Sequence, residues 1–519
     1  MYFKVVLKHL GTVALLIGGS MAFSVPWAFP FCGVTDQPEW TAILALCGTM
    51  MIAIAIGGLL LFLGRRATHQ FFRREALAVV GLSWIMATVL GALPFLLGGT
   101  CRGPSPDEGG NGVRMTLVDA LFESASGFTG AGATVITDLE DPDLVPRAIL
   151  FWRSETHFLG GLGILVLFVA ILGQGSSAKA VMRAEVPGPT MESSHARIQH
   201  AAQAFAAIYV GLNAVLTILL LVEGMNLFDA LCHSFGTIAT GGFSTYNASV
   251  GHFDSPVIDA TITLFMAVSC INFALLWAVV LFRPGTMFKD HEFQAYMGIL
   301  LGAIALVVAF GLHHNDFDGF WSALRYSSFQ VTSILTNTGF GTHDFDRWNQ
   351  FARALLLLLM FVGGCAGSTS CSIKVIRHLM LWKGLAGEVE KAYRPNVVRP
   401  VRMDGTPIDN KIIHHVYFYF GLVAIVCVIA WLGLLLFESD EVWLSRGLAT
   451  HNKFLDCASA VAATVNGVGP GLGVVGSTQN YSHLHPCSKL ICTALMLLGR
   501  LEFLPLIVLC MPSFWRRTG

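Results

Sequence analysis

The stretch "NGVGPGLG", residues 466–473, decides the fold of this chain. It holds four glycines, one proline and one asparagine in eight residues, and short apolar segments lie on both sides of it. Glycine disfavours regular structure and proline lacks a backbone N–H, so these residues form neither helix nor strand. In a membrane, such backbone is tolerated only where it is buried in protein or lines a watery cavity.

The rest of the chain is predominantly apolar. Of its 519 residues, 54% are hydrophobic and 13% are charged, whereas soluble domains carry about 25% charged residues. Runs such as "LVAIVCVIAWLGLLLF" (422–437) are long enough, with their flanks, to cross a bilayer. The sequence therefore predicts an all-α polytopic membrane protein. A net charge of −1 gives no sign of nucleic-acid binding.

Hydropathy predicts about ten membrane spans. They lie at about 11–31, 40–64, 76–99, 149–173, 204–224, 257–282, 292–312, 352–381, 412–437 and 487–511. Placing the N-terminus inside puts most Lys and Arg residues on the inner side, so both termini are expected to be cytoplasmic. The basic inner segment 383–411 is expected to be a docking or connecting segment.

Four short apolar segments, each too short to cross a bilayer, share one pattern. They begin at Asp119, Asp229, Tyr326 and Asp456, and thirteen residues later each reaches a glycine: Gly132, Gly242, Gly339 or Gly469. The repeating unit is a span, a short helix, a glycine-rich turn and a second span. Four such units around a single central axis are therefore predicted.

This pattern divides the chain into five parts. The predicted parts are 1–70 (two N-terminal helices), 71–182 (repeat 1), 183–288 (repeat 2), 289–395 (repeat 3, with an intramembrane loop) and 396–519 (repeat 4).

The repeated unit favours coordination of a cation by backbone carbonyl groups. The C-terminus of each short helix brings partial negative charge to the membrane centre. Rings of carbonyl oxygens replace the hydration shell of a dehydrated cation. The turns carry no Asp or Glu before their key glycines, which favours a monovalent ion over Ca²⁺ or Mg²⁺.

Four motifs resemble those of the Trk/Ktr/HKT superfamily of potassium transporters, and specifically its TrkH/TrkG branch. They are "ATGGFST" (239–245), "TNTGFGT" (336–342), "GGCAGSTSCSIK" (363–374) and "NGVGPGLG" (466–473). The resemblance covers nearly the whole chain. It implies four M1–P–M2 pore-loop repeats (span, pore helix, span) around a central pore, preceded by two extra N-terminal transmembrane helices. It implies K⁺ as the transported ion, no organic cofactor, a bacterial inner-membrane location, a homodimer, and a cytosolic TrkA-like nucleotide-binding ring as regulatory partner.

The resemblance also implies a K⁺ selectivity filter made of three carbonyl groups per repeat. The implied residues are Gly130, Ala131 and Gly132; Thr240, Gly241 and Gly242; Asn337, Thr338 and Gly339; Gly467, Val468 and Gly469. Glycine at all four key positions resembles the K⁺-selective members. The first repeat departs from the pattern, because Gly130 and Ala131 stand where threonines are expected.

Small residues interrupt the span that begins near Phe351. The resemblance implies that they form a loop under the filter that obstructs the pore when it is closed. The implied gate residues are Gly363, Gly364, Ala366, Gly367, Ser368, Thr369 and Ser370, followed by Cys371 and Ser372 where glycines are expected. Arg500, in "LLGRLEF", is implied to face the pore and touch this loop, although from the residues alone a structural ion pair is equally open.

Other polar residues predict structural roles. Arg153 is expected to anchor the outer end of its span, and Lys374 and Arg377 to mark the inner end of the broken one. His157, His233 and His451 are not arranged as metal ligands, and "HEFQAY" (291–296) lacks the second histidine of HExxH. Cys32 and Cys101 are expected to remain unpaired. No catalytic constellation is present, so an enzyme is not expected.

The main alternative is an H⁺- or Na⁺-coupled potassium symporter with alternating access. Such transporters favour inverted repeats and intramembrane carboxylates. Here the four units share one orientation and such carboxylates are few. The sequence therefore favours a pore, while H⁺ coupling stays open.

Overall fold

The computed structural model describes residues 2–66, 72–104, 112–163, 195–397, 401–403, 406–446 and 449–516, and these residues are mostly helical. In chain order the helices are α1 (Phe3–Ser20), α2 (Trp40–Gly64), α3 (Arg73–Leu97), α4 (Leu117–Thr129), α5 (Arg147–Leu162), α6 (His195–Val222), α7 (Leu227–Ile238), α8 (Pro256–Ser269), α9 (Phe273–Val280), α10 (Gly285–Lys289), α11 (His291–His313), α12 (Phe320–Leu335), α13 (Gln350–Leu359), α14 (Val375–Tyr393), α15 (Asn410–Phe437), α16 (Glu441–Leu444), α17 (Asn452–Asn466), α18 (Pro486–Arg500), α19 (Leu504–Leu509) and α20 (Pro512–Trp515).

Two small antiparallel hairpins complete the described fold. One pairs β1 (Cys101–Pro104) with β2 (Gly112–Arg114), and the other pairs β3 (Arg402–Met403) with β4 (Thr406–Pro407). Cys32 and Cys101 both carry free thiols. All other regular elements of the described residues are helices, as the composition predicts.

Six of the predicted spans are continuous apolar helices long enough to cross a membrane. They correspond to Phe3–Ala28, Trp40–Gly64, Arg74–Leu97, Ala202–Val222, His291–His313 and Asn410–Phe437. The predicted span 149–173 begins as α5, and its second half lies outside the described residues.

The other three predicted spans are not continuous helices, which corrects the sequence-based boundaries. The span 257–282 bends by 106° between α8 and α9. The span 352–381 is interrupted between α13 and α14, at the small residues where a break was expected. The span 487–511 is interrupted between α18 and α19, where Glu502 and Phe503 have positive φ values of 53° and 67°.

The bend between α8 and α9 is stabilised by the loop that joins α13 to α14, residues 360–374. The Cys270 carbonyl accepts from the Cys365 N–H (2.9 Å), and the Phe273 N–H donates to the Gly367 carbonyl (3.1 Å). Backbone groups released from a membrane helix need new partners. Loop 360–374 provides them, so two broken spans satisfy each other.

The four predicted short helices are present as α4, α7, α12 and α17, and side chains cap the N-termini of the first two. Thr116 and Asp119 form a capping box at α4, and Asn226 caps α7 by accepting from the Asp229 N–H. At α17, Asp456 accepts from Trp443 Nε1 (2.8 Å). The C-terminal ends of all four helices lead into the glycine-rich turns.

Candidate functional site

The four glycine-rich turns share an unusual backbone conformation. The key residues Gly132, Gly242, Gly339 and Gly469 have φ values between 74° and 92°. Two residues earlier, Gly130, Thr240, Asn337 and Gly467 also have positive φ, whereas the residue between them does not. Alternating handedness aligns successive peptide groups along one side of a strand. Thr240, a β-branched residue at φ 53°, carries strain of the kind that is stored at functional sites.

The four turns meet in a closed ring. A Cβ added at Gly132 would lie 2.4 Å from the Gly241 carbonyl oxygen, and one at Gly242 would lie 1.9 Å from that of Thr338. A Cβ at Gly339 would lie 2.0 Å from the Val468 oxygen, and one at Gly469 would lie 2.6 Å from that of Ala131. Each key glycine therefore touches the central carbonyl of the next turn. We call the carbonyls of Ala131, Gly241, Thr338 and Val468 the carbonyl ring.

A polar cavity of about 130 Å³ lies on one side of the carbonyl ring. All four key glycines line it, together with residues that follow the turns, such as Ser244 and Tyr481. The Tyr481 hydroxyl donates to the Gly469 carbonyl (2.8 Å), and its N–H donates to the Thr134 carbonyl (2.8 Å). Tyr481 therefore ties the fourth turn to the chain that leaves the first.

A buried ion pair supports the first two turns. Arg153 Nε lies 2.6 Å from Glu123 Oε1, and both side chains are almost fully buried. Glu123 Oε2 accepts from the Val135 N–H (2.9 Å), and Arg153 Nη1 donates to the Ser244 carbonyl (3.0 Å). The pair thus joins the backbone that follows turn 1 to the backbone that follows turn 2, which fits the anchoring role predicted for Arg153.

We expect Glu123→Ala to lower the free energy of unfolding by about 3–5 kcal/mol, because it leaves Arg153 buried without a counter-charge. Thermal unfolding of the purified protein in detergent measures this loss. Glu388→Ala, which breaks the exposed pair with Lys391, is the control and should change stability by less than about 1 kcal/mol. Equal effects of the two substitutions would contradict the bracing role of Glu123.

Similar braces hold the backbone after the other turns. His233 Nε2 lies 3.0 Å from Ser244 Oγ, and Gln330 Nε2 donates to the His343 carbonyl (2.8 Å). Ser459 Oγ accepts from the Leu472 N–H (2.9 Å). Glu123, His233 and Gln330 each lie nine residues before the key glycine, and Ser459 lies ten before it. Each short helix therefore positions the backbone that follows its own turn.

On the other side of the carbonyl ring, loop 360–374 contacts the ends of all four short helices. The four contacts run from Cys371 Sγ to the Thr129 carbonyl (3.3 Å), from Thr369 Oγ1 to the Ile238 carbonyl (2.9 Å), from Asn337 Nδ2 to the Met360 carbonyl (3.5 Å) and from Ser372 Oγ to Asn466 Oδ1 (2.9 Å). The loop is therefore centred under the ring. Cys371 and Ser372, where glycines were expected, supply two of these contacts.

Arg500 contacts this loop from the end of α18. Its Nη1 donates to the Thr369 carbonyl (2.9 Å) and lies 3.3 Å from Cys371 Sγ, while its Nη2 donates to the Gly160 carbonyl. Its Nη2 also lies 3.4 Å from the Gly161 carbonyl oxygen, so these four partners are uncharged, and within the described residues Arg500 forms no ion pair. A cavity of about 70 Å³ lies here, lined by residues 367–372, Lys374 and residues 499–502.

Lys374 and Arg377 have structural partners at the end of loop 360–374. Lys374 is buried, and its Nζ donates to the carbonyl and hydroxyl of Ser370. Arg377 pairs with Glu502 at the interruption between α18 and α19 (2.5 Å). Both cations therefore fix the loop to its surroundings, beyond marking the end of a span.

Glu292, part of the incomplete motif "HEFQAY", holds the middle of loop 360–374 and the first turn of α14. Its Oε1 accepts from the Ala366 N–H (2.8 Å) and from the Ile376 N–H (3.0 Å). The side chain is buried in the first turn of α11. A buried acid at the start of a membrane helix is the signal that could have found it, since such residues are rare and have partners.

Comparisons with known proteins agree with this architecture. A family profile described as TrkH, cation transport protein, matches residues 43–312 and 319–517. The chain is 35% identical to the Trk system potassium uptake protein TrkH of Salmonella typhimurium, over 99% of this chain and 100% of the relative. It is 31% identical to the Trk system potassium uptake protein TrkG of Escherichia coli, over 90% and 91%. The crystal structure of the potassium transporter TrkH from Vibrio parahaemolyticus superposes with a TM-score of 0.82 at 33% identity, over 99% of this chain and 100% of that one.

Proposed function

This chain belongs to the TrkH family of cation transport proteins, which are membrane transporters and not enzymes, and from that membership we propose that it takes up K⁺ across the bacterial inner membrane. The transported ion passes through the carbonyl ring, and the twelve predicted filter residues surround it. The transported K⁺ is the substrate, and no organic cofactor takes part. The named relatives and their described role in potassium uptake support this proposal.

The closed carbonyl ring is the observation that carries the proposal. Four turns from distant parts of the chain place one central carbonyl each against the next key glycine. Carbonyl oxygens exchange for the hydration shell of a dehydrated K⁺. Side chains at the key positions would occupy the space of these oxygens, which explains why all four are glycine.

Loop 360–374 is the proposed gate. It lies under the ring, contacts the ends of all four short helices and receives Arg500. A fixed positive charge next to the loop opposes the passage of a cation. Conduction therefore requires the loop and Arg500 to move aside together.

The proposed regulatory partner is a cytosolic nucleotide-binding ring, which acts on a homodimer of this chain. Its proposed docking surface is the basic segment 383–411. Helix α14 runs from the end of loop 360–374 into this segment. Displacing the far end of α14 would thus pull on the loop directly.

Uptake of ⁸⁶Rb⁺ into sealed liposomes that hold the purified protein tests the proposal. We expect K⁺ to compete strongly with ⁸⁶Rb⁺ for uptake, and Na⁺ and Li⁺ to compete weakly. If Na⁺ competed with ⁸⁶Rb⁺ as strongly as K⁺ does, the filter assignment would be contradicted. Strict dependence of the uptake on a proton or sodium gradient would instead support the symporter alternative.

Glu292→Ala should raise basal ⁸⁶Rb⁺ uptake by about three- to tenfold. The substitution frees the middle of loop 360–374 and the first turn of α14 from α11, and each of the two lost hydrogen bonds weakens the closed state by about 0.5 kcal/mol. Glu292→Gln keeps an acceptor oxygen and is the control that should stay close to the unmodified protein. If basal uptake rose as much in Glu292→Gln as in Glu292→Ala, the charge of Glu292, and not its two hydrogen bonds, would hold the loop.

A further inference from the structure

His157 is buried directly behind the carbonyl ring. It lies on α5, and its side chain has no exposed surface. A Cβ added at Gly241, a member of the ring, would lie 2.5–2.6 Å from three atoms of the imidazole. The imidazole of His157 therefore packs directly against the backbone of the second turn.

Two hydrogen bonds join His157 to the backbone of two different repeats. Its Nδ1 lies 2.7 Å from the Gly127 carbonyl, near the end of α4. The N–H of Phe243, the residue after key Gly242, donates to Nε2 (3.2 Å). A carbonyl only accepts and an amide N–H only donates, so the imidazole is neutral and carries its proton on Nδ1.

The residue that follows the second turn is also held by stacking. The Phe243 ring lies 4.1 Å from the His157 ring, and the Arg153 guanidinium lies 3.5 Å from the Phe243 ring centroid. Arg153 and His157 are one helical turn apart on α5, so their side chains share a face. Phe243 is thereby held between them, and the backbone of turn 2 has little freedom to move.

We propose that His157 is a specificity-determining positioning residue, which sets the position of the Gly241 carbonyl and hence the discrimination between K⁺ and Na⁺. This inference rests on the proposed filter function. Selectivity depends on where the carbonyl dipoles lie and how freely they move. If His157 no longer accepted the hydrogen bond from the Phe243 N–H, the backbone of turn 2 would lose its support on the side that faces away from the ion.

Three substitutions separate the hydrogen bonds of His157 from its volume. His157→Gln retains an acceptor for the Phe243 N–H, His157→Asn retains a donor to the Gly127 carbonyl, and His157→Phe retains the ring but neither bond. The readout is the ratio of Na⁺ to K⁺ concentrations that halve ⁸⁶Rb⁺ uptake into liposomes. This ratio does not depend on how much protein is folded.

We expect the selectivity ratio to stay within about twofold of the unmodified protein in His157→Gln and to fall about five- to tenfold in His157→Asn and His157→Phe. Tyr209→Phe is the matched control. It removes a hydrogen bond from a buried hydroxyl to the same helix, at the Phe158 carbonyl, and should leave the ratio unchanged.

Gly242→Ser, measured in parallel, separates this inference from the proposed function. A lower ratio in Gly242→Ser with unchanged ratios in all three His157 variants would overturn the role of His157 and leave the filter intact. A selectivity ratio that is retained in His157→Phe but lost in His157→Gln would also overturn the role of the His157 hydrogen bonds, since side-chain volume alone would then matter. Unchanged ratios in Gly242→Ser and the His157 variants alike would overturn both assignments.

Discussion

Gly469→Ser should lower the K⁺-over-Na⁺ selectivity of ⁸⁶Rb⁺ uptake about tenfold or more. Gly469 has φ 92°, which side chains rarely adopt, and a Cβ there would lie 2.6 Å from the Ala131 oxygen and 2.8 Å from the Gly132 carbonyl carbon. Strain of this kind costs about 1–3 kcal/mol, and 1.4 kcal/mol corresponds to a factor of ten. The ring must deform between the fourth and first turns, so its carbonyl oxygens no longer hold the positions that coordinate K⁺ in preference to Na⁺.

The control for this substitution is Gly298→Ser. Gly298 lies on α11, and a Cβ there would meet no atom within 4 Å. It should insert, fold and transport like the unmodified protein. Unchanged selectivity in a folded Gly469→Ser protein would remove the ring from the conduction pathway, and with it the filter assignment.

Deleting residues 365–369 should raise basal ⁸⁶Rb⁺ uptake by roughly tenfold or more. The deletion removes the Thr369 contacts with Ile238 and Arg500 and the backbone contact of Ala366 with Glu292. Several lost hydrogen bonds of about 1 kcal/mol each destabilise the closed loop strongly. The measurement is the initial rate of uptake in the absence of any cytosolic partner.

A second variant shows which pathway carries the additional flux. Combining the deletion with Gly469→Ser should keep the high rate and lose selectivity, because the same ions still cross the carbonyl ring. A deletion protein that elutes as a folded species and transports no faster would refute the gate role of the loop. Additional flux that stays K⁺-selective in the combined variant would place the pathway elsewhere.

Local pattern was sufficient to predict the short helices and their key glycines. The spacing from Asp119 to Gly132 recurs in all four units, and the structure places each glycine at a positive φ. Glycine, proline and N-terminal caps act over a few residues, so the sequence displays them directly. The spacing does not reveal the order in which the four distant turns contact one another, because that order depends on long-range packing.

The two unpredicted breaks have a different origin. The segment "SCINF" (269–273) is apolar enough to continue a span, and it holds neither glycine nor proline. Its bend depends on loop 360–374, nearly a hundred residues away, which satisfies the freed backbone groups. The interruption at Glu502 and Phe503 likewise accompanies the pairing of Glu502 with Arg377. Contacts between distant segments override hydropathy at both places.

The supporting side chains were harder to find than the ring they support. Glu123 and Glu292 each follow another acid, Asp119 and Asp290, at the start of an apolar segment, so neither stands out in the sequence. Their importance follows from partners such as Val135 and Ala366, whose backbone N–H groups carry no sequence signal.

The carbonyl ring is made from four segments of one polypeptide, so its four quarters are free to differ. In a ring of identical subunits, every substitution is made four times, and a loop inserted under one quarter would collide with three copies of itself. Within the described residues the loop under the ring comes from one place, between α13 and α14, and the first turn differs from the others in having Ala131 at its centre. A single substitution can therefore change the ion preference of one turn while the other three turns stay the same. Substitutions in loop 360–374 can likewise alter the gate without changing the carbonyl ring.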